Sequence, residues 1–338
     1  MPFLLVLVVL CCGLNCMASL VYLLLFRRKN RPNYAFQPGE YCVKKMQNCP
    51  CRQEFYYIAG NSTLKGYYYP STTQKLVVIV HGFRSGADDF LPLTRALVNK
   101  GFCVFAFDAT GTYDSKGRSL VGMCQSLVDL DNTLKFIQTT PLSKHQLYLV
   151  GHSLGGYAVL SVLQLHNNIK GCVALAPVCD ATKIFVQKAC QYIGAIATIY
   201  QPTFDVIQRI TFGKYVHCNS IKGINSTNVP VLIVQGAMDK VVPPNTISVT
   251  AYMSQITNPN VCFCQVEGVF GEHSNVWHSR EAVEYKNTVE KYVKNIKNRT
   301  MRKSPKLSSY YQKVDDALYS QVDNNLVEKI VETFSKAI

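Results

Sequence analysis

The feature that most constrains the fold is a glycine-rich hexapeptide between two apolar runs. Gly151-His152-Ser153-Leu154-Gly155-Gly156 directly follows the strand-like run 147–150 and directly precedes the helical run 157–165. A serine on such a sharp strand-to-helix turn requires a strained backbone, glycines let the neighbouring chain approach, and the helix N-terminus supplies free N–H groups. A chance Gly-x-Ser-x-Gly in a loop is the alternative, but it does not account for the strand before and the helix after. The hexapeptide therefore predicts an exposed, reactive serine at the carboxyl end of a strand.

Strand-like and helical runs alternate on both sides of this hexapeptide. An antiparallel hairpin is predicted at 55–58 and 66–69, around Gly60-Asn61. Further strands are predicted at 75–80, 102–107, 146–151, 171–178, 229–236 and 261–266, and helices at 88–99, 123–138, 154–166, 244–256 and 280–297. Alternation of this kind is typical of a mostly parallel sheet covered by helices. We therefore expect an α/β domain over residues 53–298, with eight strands, helices on both faces and a long insertion at 179–228 after the sixth strand.

Short motifs mark the ends of four other predicted strands. They are Val78-Ile79-Val80-His81-Gly82-Phe83 at the third strand, Asp108 with Gly111 and Gly117 after the fourth, Gln235-Gly236-Ala237-Met238-Asp239 and Val242-Pro243 after the seventh, and Gly271-Glu272-His273 after the eighth. With the serine hexapeptide, these motifs resemble those of the α/β-hydrolases, in the branch of monoacylglycerol-lipase-like and serine-aminopeptidase-like enzymes. The resemblance covers residues 53–298. It implies an α/β-hydrolase fold in which the insertion 179–228 forms a cap.

The resemblance also implies a catalytic triad of Ser153, Asp239 and His273, in the chain order that such enzymes use. Each residue follows a predicted strand, and open parallel sheets gather their sites at the carboxyl ends of the strands. Serine alone is a poor nucleophile, so His273 would accept its proton while Asp239 fixes the imidazole tautomer. An ordinary loop role for Asp239 is one alternative. His278 is the rival histidine, but it leads into a helix, whereas His273 directly follows the strand.

Two backbone amides and no cofactor complete the expected site. In the family the oxyanion donors are the residue after the His-Gly pair and the residue after the nucleophile, which correspond here to Phe83 and Leu154. We interpret His81 and His152 as structural. A metal site built from two Cys-x-Cys pairs, Cys49 with Cys51 and Cys262 with Cys264, does not match the usual zinc spacings. We therefore expect neither a metal nor another cofactor.

The insertion 179–228 bears on the substrate because it is apolar and carries few charges. It is either a cap packed for stability or the wall of an acyl-chain tunnel, and we favour the tunnel, with Ile193 and Ile196 touching the substrate. The predicted activity is hydrolysis of an acyl ester or lipid through an acyl-enzyme. The alternatives are a small soluble ester, a serine peptidase, an acyltransferase, and a catalytically silent member of the fold that acts as a binding or scaffold protein. The sequence does not indicate which protein partners, if any, the chain has.

The chain begins with an apolar run that extends over residues 3–26 without a charged side chain and ends at a basic cluster, Arg27, Arg28, Lys29 and Arg31. As a helix this run would span the hydrocarbon core of a bilayer, about 30 Å thick. We therefore predict a single-pass transmembrane anchor at 1–26 and a basic juxtamembrane linker at 27–52. A cleaved signal peptide is the alternative, although the run is long, lacks a basic start and shows no small-residue exit.

Two signals for membrane topology conflict. The basic cluster directly after the anchor favours a catalytic domain that faces the cytosol. Glycosylation sequons at Asn61, Asn225 and Asn298, together with 14 cysteines, favour a lumenal or extracellular domain. We favour the cytosolic side, because the basic cluster acts on insertion directly, whereas sequons carry meaning only after translocation.

Charge argues against nucleic-acid binding. The chain has 35 Lys and Arg against 21 Asp and Glu, a net charge of +14. The excess lies in the flanks, 27–52 and 280–306, while the segment 53–279 that must form the fold is nearly balanced. A protein that binds nucleic acid usually carries its basic residues on one folded face. No nucleic-acid partner is therefore predicted.

The C-terminal tail, 299–338, contains an apolar stripe. Its members, Leu318, Val322, Leu326, Ile330 and Phe334, recur at helical spacing. We predict an amphipathic helix docked on the domain, and a helix that binds a partner or lies on a membrane is the alternative.

Overall fold

The computed structural model describes residue 20 and residues 24–34, 37–294 and 305–336. Eight strands form one sheet in the order β1-β2-β4-β3-β5-β6-β7-β8. Their bounds are Gln53–Ala59, Ser62–Tyr69, Lys75–Val80, Cys103–Asp108, Gln146–His152, Ile169–Leu175, Val231–Gly236 and Val261–Val266. Strand β2 is antiparallel to β1 and β4, and all the other neighbours are parallel. The predicted α/β-hydrolase sheet, eight-stranded and mostly parallel, is confirmed, as is its N-terminal hairpin.

Ten α-helices connect or follow these strands within the described residues. Helices α1 to α10 are Leu91–Asn99, Gln125–Gln138, Leu154–Ser161, Ile184–Ile193, Gln201–Phe212, Ser220–Asn225, Arg280–Lys294, Pro305–Tyr311, Asp316–Tyr319 and Asn324–Ser335.

The sheet is covered on both faces because side chains alternate along each strand. In β3, Leu76, Val78 and Val80 belong to a buried apolar cluster that also contains residues of α2, α3 and α6, whereas Val77 and Ile79 belong to a second cluster that contains residues of α1 and α10. All five side chains are buried. Near-continuous apolar strands of this kind are expected where helices cover both faces of a parallel sheet.

One predicted helix, over 244–256, is wrong. The segment is irregular up to Ser248 and then forms a short 3-10 helix, Val249–Gln255, with a kink at Tyr252. The Ser248 amide donates to the Pro243 carbonyl, whereas the Pro244 carbonyl accepts the Thr250 hydroxyl, and the Ser248 hydroxyl accepts the Thr250 amide. These local hydrogen bonds compete with a regular helix.

The insertion between β6 and β7 contains the cap helices α4, α5 and α6. Val186, Ala197 and Phe204 form a small apolar cluster inside it. The outer surface of the cap carries exposed apolar side chains, among them Ile196, Ile199 and Ile210. The cap therefore has a core of its own beside the main sheet.

The apolar stripe of the C-terminal tail, from Leu318 to Phe334, is divided between two helices, α9 and α10, instead of lying on one. Asp323 caps α10 by accepting a hydrogen bond from the Asn325 amide, and Val322 pairs with His278 just before it. This pairing and cap interrupt the helical spacing. Phe334 of α10 is buried against Tyr148, with 4.6 Å between the ring centroids.

No helix in the described part of the chain is both long and apolar enough to cross a membrane. The predicted anchor, 1–26, lies almost entirely outside the described residues, as does the sequon at Asn298.

Candidate active site

Ser153 lies at the junction between β5 and α3, near the centre of the sheet. Its backbone has φ 58° and ψ −115°, in the positive-φ region that side chains other than glycine rarely occupy. Its N–H donates to the Leu175 carbonyl over 2.8 Å, so strand β6 holds the turn in place. Strain of this kind persists only where the surroundings fix it, and it is typical of functional sites.

The glycines of the hexapeptide are required by close backbone contacts. A Cβ on Gly155 would lie 2.1 Å from the Val80 carbonyl oxygen, and one on Gly151 would lie 2.3 Å from the Gly155 carbonyl oxygen. Without side chains at these positions, α3 begins directly against the end of β3. This packing holds Ser153 at the carboxyl edge of the sheet.

The structure brings together the three residues that the sequence proposed as a triad. His273 Nε2 lies 2.9 Å from Ser153 Oγ, and His273 Nδ1 lies 2.7 Å from Asp239 Oδ2. Asp239 follows β7 and His273 follows β8, so three strands contribute to one site. The three side chains form a continuous hydrogen-bonded chain.

Asp239 is held by four donors in all. Besides His273, the Val241 and Val242 amides donate to its Oδ1 over 2.8 and 2.7 Å, and Gln235 Nε2 donates to its Oδ2 over 3.2 Å. The side chain is 0% exposed. Four donors on two oxygens hold the buried carboxylate in one orientation.

His152, which precedes the serine, contacts the histidine loop. Its Nε2 lies 3.0 Å from the His273 carbonyl oxygen, and the two rings lie 4.8 Å apart. Burial, with a smaller effect of His273, lowers the pKa of His152 to about 3. The ring is therefore neutral at physiological pH, and its Nε2–H donates to that carbonyl, which fixes the loop.

His278, the rival histidine, points away from Ser153. Its Nδ1 lies 3.2 Å from the Gln321 carbonyl oxygen and its Nε2 lies 2.6 Å from Lys286 Nζ. Burial lowers its pKa well below the usual value. His81 is also structural in its contacts, because its Nε2 accepts the Ala109 amide over 2.9 Å.

The two predicted oxyanion amides, those of Phe83 and Leu154, belong to chain segments that pass beside Ser153. A Cβ on Gly82 would lie only 3.2 Å from Ser153 Cβ, so the chain before Phe83 passes beside the serine. Leu154 begins α3, and the first amides of a helix have no partner within it. Neither the Phe83 nor the Leu154 amide donates a hydrogen bond to another described residue.

A cavity of about 410 Å³ opens beside Ser153. Its lining is almost entirely apolar, and cap helix α4 contributes one of its faces at helical spacing. The lining comprises Leu25, Phe83, Met123, Ser153, Leu154, Val178, Ile184, Phe185, Lys188, Ala189, Tyr192, Val241 and Val242.

The two cap isoleucines singled out from the sequence do not line this cavity. Ile193 and Ile196 are 56% and 69% exposed, on the outer side of the cap. Phe185 and Tyr192 line the cavity instead, and Tyr192, which is 84% exposed, lies where the cavity opens to the surface. The spacing Phe185, Ala189, Tyr192 was visible in the sequence and would have found this face of α4, but nothing in the sequence pointed to Leu25.

Within the described ranges, no group of three or more His, Cys, Asp or Glu side chains is arranged to hold a metal ion.

The comparisons with known proteins concern the same region. The family model of serine aminopeptidase S33 matches residues 71–221. An esterase of Pyrococcus furiosus has a similar structure, at 19% identity and a TM-score of 0.56 over 80% of this chain and 98% of the esterase. Est1E of Butyrivibrio proteoclasticus, solved with ferulic acid bound, gives 18% identity and a TM-score of 0.52 over 71% and 98%.

A mammalian protein has the same fold. Mouse α/β hydrolase domain-containing protein 10 gives 14% identity and a TM-score of 0.51 over 72% of this chain and 99% of its own. A search of curated proteins gave no match. At such identities the similarity between structures shows the fold, and the family model adds the sequence match around Ser153. The chain therefore has the α/β-hydrolase fold, and the match over residues 71–221 supports the branch of the serine-aminopeptidase-like α/β-hydrolases.

Proposed function

We propose that this chain is a serine hydrolase that cleaves carboxylic esters with an apolar acyl group. The observation that carries the proposal is the hydrogen-bonded chain Ser153–His273–Asp239, with distances of 2.9 and 2.7 Å, at the wall of an apolar cavity. The esterases among the similar structures support an ester substrate.

In the proposed reaction Ser153 Oγ attacks the ester carbonyl while its proton passes to His273 Nε2. The carbonyl oxygen takes the electron pair, and the Phe83 and Leu154 amides stabilise the resulting oxyanion. His273 then protonates the departing alcohol as the carbon–oxygen bond breaks, which leaves an acyl-Ser153. Water repeats the sequence and releases the acid. Asp239 keeps the Nδ1 proton of His273 in place and stabilises the imidazolium.

The cavity favours an acyl chain over a polar substituent. Its volume of about 410 Å³ lies within the range of small-molecule sites, about 300 to 1,000 Å³. Lys188 is the single side chain among its lining residues that is charged at neutral pH, and its Nζ donates a hydrogen bond to the Lys240 carbonyl over 3.0 Å. A peptide substrate would need hydrogen-bond partners for its backbone, which these side chains do not supply.

Covalent labelling of the serine tests the chemistry. The full-length protein should react with a fluorophosphonate probe and hydrolyse acyl esters, and Ser153→Ala should abolish both while the protein stays folded. Ser143→Ala is the matched control because Ser143 is exposed and remote from the site in the fold. Labelling that persists in folded Ser153→Ala would refute the assignment.

The acyl preference needs a separate measurement. Esters of acetate, butyrate, octanoate and laurate should be compared by kcat/KM, and the octanoate ester should exceed the acetate ester by at least tenfold. Each buried methylene contributes about 0.8 kcal/mol, so several of them account for such a ratio. A flat profile would contradict an acyl-binding role for the cavity.

For localisation we propose a single-pass membrane protein whose catalytic domain faces the cytosol. The support is the apolar run 3–26 followed by the basic cluster. The side chain of Asn225 supports the same side, because its amide donates to the Gln255 carbonyl and its oxygen accepts the Thr257 amide. A glycan on this nitrogen would replace one of its two hydrogens and would have to fit beside the Gln255 carbonyl.

Glycosidase treatment of the protein from its own cells decides the orientation. An unshifted band is expected, together with digestion by protease added to the cytosolic side of intact vesicles. A band that shifts, and no longer shifts when Asn61, Asn225 and Asn298 are all replaced by Gln, would place the domain in the lumen or outside the cell.

A further inference from the structure

A short segment before the sheet is folded onto the body of the enzyme beside Ser153. We call residues 24–31 the strap. The backbone of Lys29 makes two hydrogen bonds with the domain. Its amide donates to the Gly111 carbonyl over 2.9 Å, and its carbonyl accepts the Tyr113 amide over 2.8 Å. The Leu120 amide donates to the Phe26 carbonyl over 2.8 Å. The strap is therefore anchored to the loop that follows β4 by backbone hydrogen bonds.

Charged side chains add to this anchoring. The Arg28 guanidinium donates to the carbonyls of Ser115, Gly117 and Tyr113 at 2.6 to 2.8 Å. Arg31 pairs with the buried carboxylate of Asp88. We interpreted the basic cluster as a juxtamembrane signal. Most of it also makes specific contacts with the folded domain.

The strap contacts the residue that supplies one of the two proposed oxyanion amides. Phe26 is 2% exposed, and its ring packs edge-to-face on that of Phe83, with 5.4 Å between the centroids. Next along the chain, Arg84 has a positive φ of 59° and donates to the carbonyls of Leu25 and Arg27 over 3.0 and 3.4 Å. Because side chains seldom adopt this backbone conformation, external contacts are needed to hold it. The strap supplies them.

The strap also reaches the substrate cavity. Leu25 lies in the cavity lining together with Phe83, Ser153 and Tyr192 of the cap. Its side chain is 42% exposed, so it lies where the cavity opens to the surface. Leu24, its neighbour, is 52% exposed and is not among the lining residues.

We infer that residues of the strap contribute to the active site. Leu25 determines which acyl groups fit at the cavity opening, and Phe26, together with Arg84, positions the Phe83 amide. This inference rests on the proposed function. The stabilisation of an oxyanion falls steeply when a donor is misaimed, so a displaced Phe83 amide slows turnover more than it weakens substrate binding. The end of the apolar run and the basic cluster after it then contribute to the site as well as connecting the chain to the domain.

The specificity role is tested at Leu25 in the full-length protein. Leu25→Trp should narrow the opening and lower the ratio of kcat/KM for octanoyl over acetyl esters at least fivefold. Leu24→Ala is the matched control and should leave the ratio unchanged. Because Leu25 is partly exposed, the substitution should leave folding intact. An unchanged ratio in Leu25→Trp would overturn this part of the inference.

The positioning role is tested at Phe26. Phe26→Ala should lower kcat at least tenfold while KM stays within threefold, and Phe26→Leu, which restores most of the packing, should recover most of the loss. A purely structural role would change the melting temperature without this split between kcat and KM. If Phe26→Ala does not fold, Arg84→Met offers the same test, because it removes both hydrogen bonds that Arg84 Nη1 donates to the strap. Wild-type kcat in both folded variants would refute the positioning role.

The two proposals fail in different ways. If the wild-type protein neither reacts with a fluorophosphonate nor hydrolyses any ester, the proposed function fails. If the wild-type protein is active and the Leu25 and Phe26 variants behave like Leu24→Ala, the function stands and the inference about the strap fails.

Discussion

Replacing Asp239 by asparagine tests how the proposed triad uses its proton. Asp239 Oδ1 accepts hydrogen bonds from the Val241 and Val242 amides at 2.8 and 2.7 Å. An asparagine must therefore place its single oxygen at this position, because its NH₂ group would clash with two donors. The NH₂ group then faces His273 Nδ1, which lies 2.7 Å from the present carboxylate oxygen.

This geometry forces the wrong histidine tautomer. Facing an NH₂ donor, His273 Nδ1 must be the acceptor, and the ring proton moves to Nε2. Nε2 lies 2.9 Å from Ser153 Oγ and must be unprotonated to take the serine proton. In a serine protease the same substitution lowers turnover about 10⁴-fold. That factor corresponds to about 5 kcal/mol of transition-state stabilisation, and we expect a loss of this size.

The assay is kcat for an octanoyl ester, together with the rate of fluorophosphonate labelling, in Asp239→Asn and in Asp205→Asn. The control removes a carboxylate on the cap that contacts Gln201 and not the site. Both variants should unfold near the wild-type temperature. Activity of folded Asp239→Asn within tenfold of wild type would show that Asp239 does not set the tautomer, and the triad assignment would have to be withdrawn.

Three further substitutions test the packing around the site. Gly155→Ala should abolish labelling or lower the melting temperature, because the new Cβ would lie 2.1 Å from the Val80 carbonyl oxygen, and wild-type values of both would contradict the contact. Phe334→Ala should cost about 3 to 5 kcal/mol of stability in denaturant titrations, as deletion of a fully buried ring does; a cost below about 1 kcal/mol would mean that α10 is not docked as described. Burial lowers the pKa of Lys286 to about 7, so the unfolded chain binds more protons than the native protein above pH 7, and stability should rise with pH. Between pH 7 and pH 9 the free energy of unfolding of the wild type should rise by about 2 kcal/mol more than that of Lys286→Met. The control Lys291→Met, at an exposed lysine, should show the same rise as the wild type. Parallel curves of stability against pH for the wild type and Lys286→Met would refute the pKa shift.

The sheet and the relative order of the site residues were predictable because they depend on local patterns. The residue at position 155 can approach Val80 only if it is a glycine, so the hexapeptide itself indicated the sharp turn between β5 and α3. The loops with Asp239 and His273 follow β7 and β8, and parallel strands bring their carboxyl ends to one edge whatever lies between them. The spacing of the motifs along the chain was therefore enough to predict the sheet and the order of the site residues.

The cavity was not predictable in the same way, since it depends on contacts between distant segments. Ile193 and Ile196 are as apolar as Phe185, and only the packing of α4 decides which side chains face Ser153. Leu25 belongs to the end of the apolar run that we assigned to a membrane anchor, and it reaches the site because the strap folds back along residues 111–120. A single sequence shows neither how α4 packs nor where the strap runs.

The place of the site in the sheet affects how the enzyme should lose activity. Ser153 follows β5, which lies between β3 and β6 and is almost fully buried. His273 follows β8, an edge strand with a single neighbour and no fully buried side chain. Segments with few buried contacts open in sub-global fluctuations that cost far less free energy than complete unfolding. Backbone amides of β8 should exchange with deuterium before those of β5, and rising denaturant should inactivate the enzyme while most of its secondary structure persists.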